Sequence, residues 1–335
     1  MRGRRRGRRG GGVLTRVGAV LLGLVAFAGI AAPVLSPHEP GQVFRDHLFA
    51  PPMPPHVVDA GGRWHAPFVY PVRLVNRLEQ RYEEDRSRRL PLTFFSGGTL
   101  ARLADEGDGP WLPLGGDGAG RDLLARLLFG ARTSLGVAIA AALGAILIGL
   151  LVGGLAGYAG GAVDEGLMRF AELVLVMPAV FVVLALRSAL PLVLPPATVF
   201  LLMSAIFALV GWPWVARAVR GVVASERTRD YAVAAKSLGA TRTRVLAVHL
   251  LPACRGLLAA QAVLLVPAFV LAEATLSYLG LGFPDTVSSW GSMLQDASDP
   301  NVMIRCPWTL APAGAIALVT LGVNLFLESE PQPPR

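Results

Sequence analysis

The stretch from Thr133 to Tyr158, TSLGVAIAAALGAILIGLLVGGLAGY, contains no charged residue. Because an α-helix needs about 20 predominantly apolar residues to cross the hydrocarbon core of a bilayer, this stretch predicts a transmembrane helix. Gly149, Gly153 and Gly157 recur along it at constant spacing. Small residues on one face of a helix allow a second helix to approach closely. We therefore expect this face to pack against another helix rather than against lipid.

Five further apolar stretches complete a predicted set of six membrane spans. They are Val13–Val34, Phe170–Leu190, Pro196–Val215, Gly256–Leu279 and Thr309–Leu327. The composition, 53% hydrophobic and 16% charged residues, excludes a disordered chain and an ordinary soluble enzyme. The predicted fold class is an all-α polytopic membrane protein with about six transmembrane helices and a small extracytoplasmic insert between the first and second. The first stretch would also suit a cleaved signal peptide, although it is longer than a usual signal core.

These stretches divide the chain into four predicted segments. Residues 1–35 form a basic arm and the first span, and residues 36–131 form an extracytoplasmic insert with an interfacial segment. Residues 132–327 form a core of five transmembrane helices that contains the polar loop 216–255, and residues 328–335 form a short C-terminal tail.

The positive charge of the chain is unevenly distributed. The formal net charge is +8, and arginines cluster between Arg2 and Arg16 and again in the loop 216–255. Basic segments mark the cytoplasmic side of a membrane protein, so the N-terminus, this loop and, after six spans, the C-terminus are predicted to be cytoplasmic. Short arginine runs can bind nucleic acid, but the span that follows makes anionic lipid headgroups the expected partner of this arm.

The insert at residues 36–113 is hydrophilic and rich in proline and glycine. The turn residues Asp59–Gly62 lie between two short strand-like stretches and predict a β-hairpin. Four apolar residues further on recur at helical spacing and predict an amphipathic helix. They are Leu74, Val75, Leu78 and Tyr82. We interpret the insert as a small folded cap or docking surface, because its scattered histidines lack the clustered ligands of a metal site.

The polar stretch from Asp230 to Pro252, DYAVAAKSLGATRTRVLAVHLLP, separates two of the spans. Its first apolar residues recur at helical spacing and stop at Gly239, a residue that readily takes the left-handed conformation that ends a helix. Thr241 is placed to cap a second helix, which Pro252 is expected to end. The stretch therefore predicts a helix, a glycine bend and a second helix. Its charges alone would equally fit a cytoplasmic loop with no other role.

The same stretch resembles the cytoplasmic EAA loop of ABC importer permeases, whose pattern is E-A-A-x3-G-x9-I-x-L-P. The alanine, glycine, leucine and proline positions fall in register, whereas Asp230 stands where the family often has Glu and His249 where the general pattern has Ile. In that family the loop receives force from the ATPase subunit, so the resemblance implies an ATPase-coupling site. Its candidate residues are Asp230, Tyr231, Ala234, Ala235, Leu238, Gly239, His249 and Pro252.

Other stretches resemble one subclass, the dipeptide/oligopeptide/nickel permeases. Leu114–Asp122 is similar to its G-T-D-x-x-G-R-D element, with Gly116 in place of Thr, and Gly157–Asp164 to its G-Y-x-G-G-x-x-D element. Glu273–Gly282 is similar to E-x-x-L-S-F-L-G-L-G, and Ser289–Leu294 to x-W-G-x-M-L. The order of these motifs makes the chain resemble the C-type partner of the two permease subunits.

Two local expectations concern the charged residues of these motifs. Arg121 and Asp122 are expected to anchor an interfacial helix at the lipid headgroups. Asp164, together with its neighbour Glu165, is expected to pair with Arg169 one helical turn further on.

The resemblance implies a permease core, at residues 132–327, in the cytoplasmic (inner) membrane. The implied partners are a second homologous permease subunit, two cytoplasmic ABC ATPase subunits, an extracytoplasmic solute-binding protein and the lipid bilayer, and they do not include nucleic acid. The sequence has no Walker A phosphate loop. We therefore expect no catalytic residue, cofactor or metal in this chain, and we expect partner subunits to hydrolyse ATP. Peptides are the favoured substrate class, although nickel and other solutes stay open.

Glu273 lies within the fifth span, where a carboxylate is costly and usually has a partner or a water-filled cavity. It is interpreted either as a residue of a subunit interface or as part of the translocation path. Two other classes of protein share such spans, a non-ABC channel and an intramembrane enzyme. A channel would not need the EAA spacing, and the G-x-S-x-G and H-E-x-x-H motifs of two enzyme classes do not occur here.

Overall fold

The computed structural model describes residues 7–77, 80–105, 109–189, 191 and 194–327. The chain divides into two compact units, residues 1–134 with 274–335 and residues 135–273. The predicted tail at 328–335, the arginines before Gly7 and Leu78 of the predicted amphipathic helix lie outside the described residues.

The described residues form mainly α-helices, as predicted. They are α1 (Gly7–Ile30), α2 (Ala32–Leu35), α3 (Leu123–Ala159), α4 (Gly161–Val176), α5 (Ala179–Ser188), α6 (Pro196–Glu226), α7 (Asp230–Ser237), α8 (Arg242–Arg244), α9 (Arg255–Tyr278), α10 (Trp290–Asp296), α11 (Pro300–Arg305) and α12 (Ala311–Leu327). Five helical stretches are long and apolar enough to cross a membrane, and a bent pair, α4 with α5, makes up to six. This confirms an all-α polytopic membrane protein.

The third predicted span is not one continuous helix. It breaks between Val176 and Ala179, and the two helical pieces are bent by 85°. Pro178 lies at the break, where it offers no N–H for a helical hydrogen bond and its ring would clash with the carbonyl one turn earlier.

In the unit formed by residues 135–273, α3 and α6 pack closely and run in the same direction. Glycines of α3 meet α6 in a series of contacts whose residue numbers rise together along both helices. The successive pairs are Gly136 with Phe200, Gly144 with Ala208, Gly149 with Val215, Gly153 with Ala216 and Gly157 with Arg220. A Cβ atom added at Gly149 would lie only 2.5 Å from the Val215 Cβ, so the predicted glycine face is confirmed as a helix contact.

The parallel packing decides how many times the chain crosses the membrane. Because α3 and α6 end on the same side, the segment between them must return to the opposite side. The broken pair of α4 and α5 is the part of the chain that makes this return. The pair therefore counts as a crossing, which gives six in all.

In the other unit, α1 packs antiparallel to α12. A Cβ atom at Gly18 would lie 2.5 Å from the Gly322 carbonyl oxygen and 2.6 Å from the Phe326 nitrogen, whereas Leu22 lies against Gly322. The contact therefore moves toward the start of α12 as α1 proceeds. Gly7 and Leu327 consequently lie toward the same end of the pair, as an even number of crossings requires.

The insert is a small β-structure with its own apolar core. Its strands are β1 (His56–Val58), β2 (Trp64–Val69), β3 (Val72–Asn76), β4 (Arg81–Glu84), β5 (Leu90–Ser96) and β6 (Thr99–Leu103). They form a four-stranded sheet in the order β1-β2-β5-β6 and a two-stranded sheet of β3 and β4. The buried core includes Met53, Val69, Leu90, Trp111 and Leu112.

The predicted hairpin of the insert is confirmed, but its predicted helix is wrong. β1 and β2 pair antiparallel around Asp59–Gly62. Leu74 and Tyr82, predicted to share a helix face, instead lie opposite each other in the ladder between β3 and β4. Tyr82 packs against the apolar core, so burial across strands satisfies residues whose spacing also fits a helix.

Candidate coupling site

The loop between α6 and α9 folds as a helix, a glycine bend and a second helical segment. α7 ends at Ser237, and Gly239 has a backbone φ of +87°, which residues with a Cβ atom rarely adopt. The Thr241 hydroxyl accepts a hydrogen bond from the Arg244 backbone N–H at 3.3 Å and so caps the second segment. The predicted bend and cap are both confirmed.

Pro252 does not end the second helix, contrary to the prediction. The backbone continues from α8 through a π-helical turn at Val245–Leu250 and a 3-10 turn at Leu251–Cys254 into α9. The Leu251 N–H donates to the Leu246 carbonyl, five residues back. The wider turn accommodates a proline that has no N–H of its own, so the helical path is kept.

One face of α7 is apolar and uncovered by the rest of this chain. Ala232 is fully buried and marks the side of the helix that packs against the rest of the chain. Tyr231 and Ala234 are exposed, and Leu238 just beyond the helix is 88% exposed. With Ala235 they lie at the helical spacing that places residues on one face. We call these four residues the α7 stripe.

The other predicted site residues lie apart from the α7 stripe. Asp230 starts α7 and is exposed, which places a negative charge at the helix N-terminus. His249 and Pro252 lie in the π-helical and 3-10 turns and are half-buried. Glu273, in α9, is 0% exposed, so its carboxylate does not face lipid.

Side chains on both sides of α7 hold the loop in place. The Tyr231 hydroxyl donates to the Glu226 carboxylate at 2.8 Å. Partial desolvation, and then this hydrogen bond, raise the pKa of Tyr231, so the phenol keeps its proton at neutral pH. Arg227 Nη1 donates to the Tyr158 carbonyl oxygen at 3.0 Å, and the Lys236 ammonium lies 5.1 Å from the centre of the Tyr158 ring. α7 is therefore tied to the end of α3.

An ion pair that the sequence did not reveal joins α4 to α6 in the same unit. Arg220 Nε lies 2.9 Å from Asp164 Oδ1, and its Nη2 lies 2.5 Å from Oδ2. The predicted local pair forms only between Glu165 and Arg169, at 3.5 Å on the surface. Spacing along the chain cannot show a partner more than 50 residues away. The signal that was available is that Asp164 ends its motif and that α6 carries two arginines, Arg217 and Arg220, in its second half.

Comparison with known proteins places the chain in a family. A family model described as binding-protein-dependent transport system inner membrane component matches residues 145–329, more than half of the chain. The chain belongs to this family. Its oligopeptide transport system permease relative OppC from Bacillus subtilis (strain 168) is 37% identical over 212 residues, which are 63% of this chain and 67% of the relative.

Two further relatives agree. OppC from Haemophilus influenzae is 39% identical over 213 residues, 63% of this chain and 66% of the relative. The dipeptide transport system permease protein DppC from Bacillus subtilis is 37% identical over 213 residues, 63% of this chain and 64% of the relative. The chain thus spans about two thirds of the length of these curated relatives. The resemblance to a C-type peptide permease subunit of an ABC transporter is confirmed, and this multi-pass inner membrane component belongs to a family that is not itself enzymatic.

The motif residues Arg121 and Asp122 of this inner membrane component do not anchor at lipid headgroups, contrary to the prediction. Asp122 is fully buried. Its carboxylate accepts a hydrogen bond from the Leu124 backbone N–H at 2.9 Å and lies 3.0 Å from His38 Nδ1. Arg121 Nε donates to the buried Asp117 at 2.7 Å. The motif therefore closes a loop before α3 instead of facing the membrane surface.

Two long-range contacts that sequence reasoning missed extend this network. Arg126, which is 2% exposed, contacts Asp117 and lies 2.6 Å from Asp296 at the end of α10. The Trp290 indole N–H at the start of α10 donates to the Leu127 carbonyl at 3.0 Å. Two of the subclass motifs thus meet in one buried cluster that fixes α10 against the start of α3.

Proposed function

We propose that the chain is the permease subunit of an ABC importer and that the α7 stripe docks into a groove on a cytoplasmic ATPase. The observation that supports this most strongly is an apolar helix face exposed on a loop that is otherwise well braced. Small side chains at Ala234 and Ala235 would let the partner approach closely, while Tyr231 and Leu238 would supply apolar contact area. Such an exposed patch on a rigid support is typical of an interaction site.

Force applied to α7 would reach the membrane helices through the contacts described above. Lys236 connects α7 to Tyr158 at the end of α3, and Arg227, at the end of α6, binds the carbonyl oxygen of the same tyrosine. The Arg220–Asp164 pair connects α6 to α4 in the same region. A displacement of α7 would therefore move several helices together rather than bend one loop.

The charge of the loop and the similarity to known permeases also indicate the orientation, the partners and the substrate class. The basic loop would lie in the cytoplasm, with both termini, and the insert at 36–113 would face the solute-binding protein outside. A second, homologous permease would complete the translocation path, and ATP would be hydrolysed on separate subunits. The relatives are oligopeptide and dipeptide permeases, which favours peptides or a similar small solute as the substrate.

The docking proposal is tested by co-expressing the chain with candidate ABC ATPase subunits from the same genome. Ala234→Glu places a carboxylate in the α7 stripe and should abolish co-purification of the ATPase. Val233→Glu is the matched control, because Val233 is exposed but points away from the stripe, and it should retain the ATPase. Equal ATPase recovery with both variants would refute the docking face. A wild-type chain that never retains an ATPase would favour the non-ABC channel.

We propose that Glu273 serves subunit structure rather than direct contact with solute, since its side chain is fully buried within the chain. Glu273→Gln keeps the shape of the side chain and removes its charge. The free energy of unfolding should fall by about 1–3 kcal/mol, because a buried hydrogen bond to a charged group is lost. Membrane-inserted protein and uptake should fall in parallel. Normal assembly with a selective loss of cationic substrates would instead place Glu273 on the translocation path.

A further inference from the structure

A basic cavity lies behind α7, in the unit formed by residues 135–273. Its volume is about 630 Å³. It is lined by Leu155, Tyr158, Ala159, Lys236, Arg242, Thr243 and Leu246. Two of these side chains are cationic, and among the described residues that line the cavity none is acidic. The Tyr158 ring lies 5.1 Å from the Lys236 ammonium, which places that cation at the cavity.

An apolar ridge on α3 leads directly to this cavity. Leucines recur on every fourth residue of the helix, and each is about half exposed or more. They are Leu143, Leu147, Leu151 and Leu155. Residues four apart lie one above the other on a helix face, and Leu155 belongs both to the ridge and to the cavity wall. The cationic cavity therefore closes one end of a continuous apolar surface.

We propose that this cavity binds the phosphate of an anionic phospholipid whose acyl chains lie along the leucine ridge. Arginine presents a planar donor fork that matches phosphate, and lysine binds phosphate as a compact charge. Basic pockets beside membrane helices on the cytoplasmic side select anionic headgroups. The inference rests on the proposed function for one point, that this loop faces the cytoplasm.

Lipid and ATPase would occupy different faces of α7. At 100° per residue, Lys236 lies roughly 150° around the helix from the centre of the α7 stripe, close to the buried Ala232. A lipid held by Lys236 and Arg242 would therefore support α7 from behind while the stripe stays free for docking. The lipid becomes a structural part of the coupling site.

Native mass spectrometry of the full-length chain in mild detergent tests this site, with phosphatidylglycerol and phosphatidylcholine as the probes. Wild-type protein should retain phosphatidylglycerol in preference to phosphatidylcholine. The variant Lys236→Gln with Arg242→Gln should retain on the order of tenfold less of the anionic lipid, because each cation near the surface contributes to its attraction. The single variant Arg242→Gln should show a smaller loss, and it serves if the double variant does not fold.

The matched control removes two other cations of the same loop, Arg244→Gln with Arg255→Gln. Neither residue lines the cavity, so retention should stay at the wild-type level. An equal loss in the control would overturn the site, since it would show attraction to net charge alone.

A second arm separates a lipid from a free phosphate. Leu155→Asn interrupts the ridge and should weaken retention of phosphatidylglycerol severalfold, and millimolar inorganic phosphate should not displace the lipid. Displacement by phosphate together with an unaffected Leu155→Asn variant would contradict the lipid proposal in favour of a soluble phosphate ligand. Because no ATPase is present in these measurements, their failure would leave the result for Ala234→Glu, and with it the proposed function, unchanged.

Discussion

Gly239 adopts φ +87° with nothing within 4 Å of the place where a Cβ atom would sit. The position therefore has room for a side chain but not the backbone conformation for one, because residues other than glycine rarely take positive φ. What the glycine supplies is the direction in which the chain leaves α7. Beside it, Leu238 is 88% exposed, so the bend holds an apolar side chain in solvent.

Substitution of Gly239 by valine should disrupt coupling without preventing membrane insertion. A β-branched residue at this φ adds conformational strain on the order of 1–3 kcal/mol. The chain can relieve this strain only if the backbone leaves α7 in a different direction. ATP-dependent uptake in cells should fall at least tenfold, while the amount of membrane-inserted protein stays unchanged. Gly256→Val is the control, since Gly256 also has open space around it but no positive φ. Full uptake by Gly239→Val would show that the bend is not needed.

At the scale of elements, α3, α4, α6 and α7 are held together by a few polar contacts at one end of a glycine-packed helix pair. The helix, bend and helix of the loop could be predicted, because local propensity and the local sequence agree there. The glycine face could be predicted for the same reason. The Asp164–Arg220 pair could not be predicted, because the spacing of residues within one helix does not show a partner in another helix.

Three other features could not be predicted from local sequence patterns. Pro178 indicated a break, but many membrane helices keep proline because neighbouring groups satisfy the freed carbonyl. Leu74 and Tyr82 fit a helix as well as a strand, and burial against the core of the insert decided between them. Arg121 looked like a surface anchor, although its main partner Asp117 lies only four residues earlier. Its weaker contact, with Asp296, lies 175 residues further along the chain and cannot be read from local spacing.

Breaking the tie between α4 and α6 should lower transport while the helices still form. Asp164→Asn removes the charge that Arg220 binds, and the pair is only partly buried, so the loss of stability should be about 1 kcal/mol. We expect a severalfold fall in uptake per membrane-inserted molecule. The exchange Asp164→Arg with Arg220→Asp should restore part of it. Glu165→Gln, which removes an exposed pair with Arg169, should leave uptake unchanged, and an effect as large as that of Asp164→Asn would contradict this role.

At the scale of the whole molecule, the six crossings inferred from the parallel run of α3 and α6 agree with the even number that the antiparallel run of α1 and α12 requires. An even number of crossings returns the end of α12 to the side on which α1 begins. On this count we propose that the arginine-rich N-terminal arm and the basic loop lie on one side of the membrane. From their charge we propose that this side is the cytoplasm.

Labelling of single cysteines from either side of the membrane tests this arrangement. Ser87 in the insert and Ser237 at the end of α7 are both exposed serines, so they form a matched pair. In a background without Cys254 and Cys306, a membrane-impermeant maleimide should label Ser87→Cys in intact cells and Ser237→Cys only after the membrane is opened. Labelling of Ser87→Cys only after opening would reverse the topology.

The central claim, that this chain carries solute under ATP-driven force received at α7, is tested most directly by uptake into proteoliposomes. The chain would be reconstituted with a candidate second permease, ATPases and a solute-binding protein from the same genome, and labelled dipeptides to pentapeptides would be supplied. We predict uptake that requires ATP, that Ala234→Glu abolishes and that Val233→Glu preserves. Uptake that proceeds equally without ATP, or that Ala234→Glu leaves intact, would contradict the account.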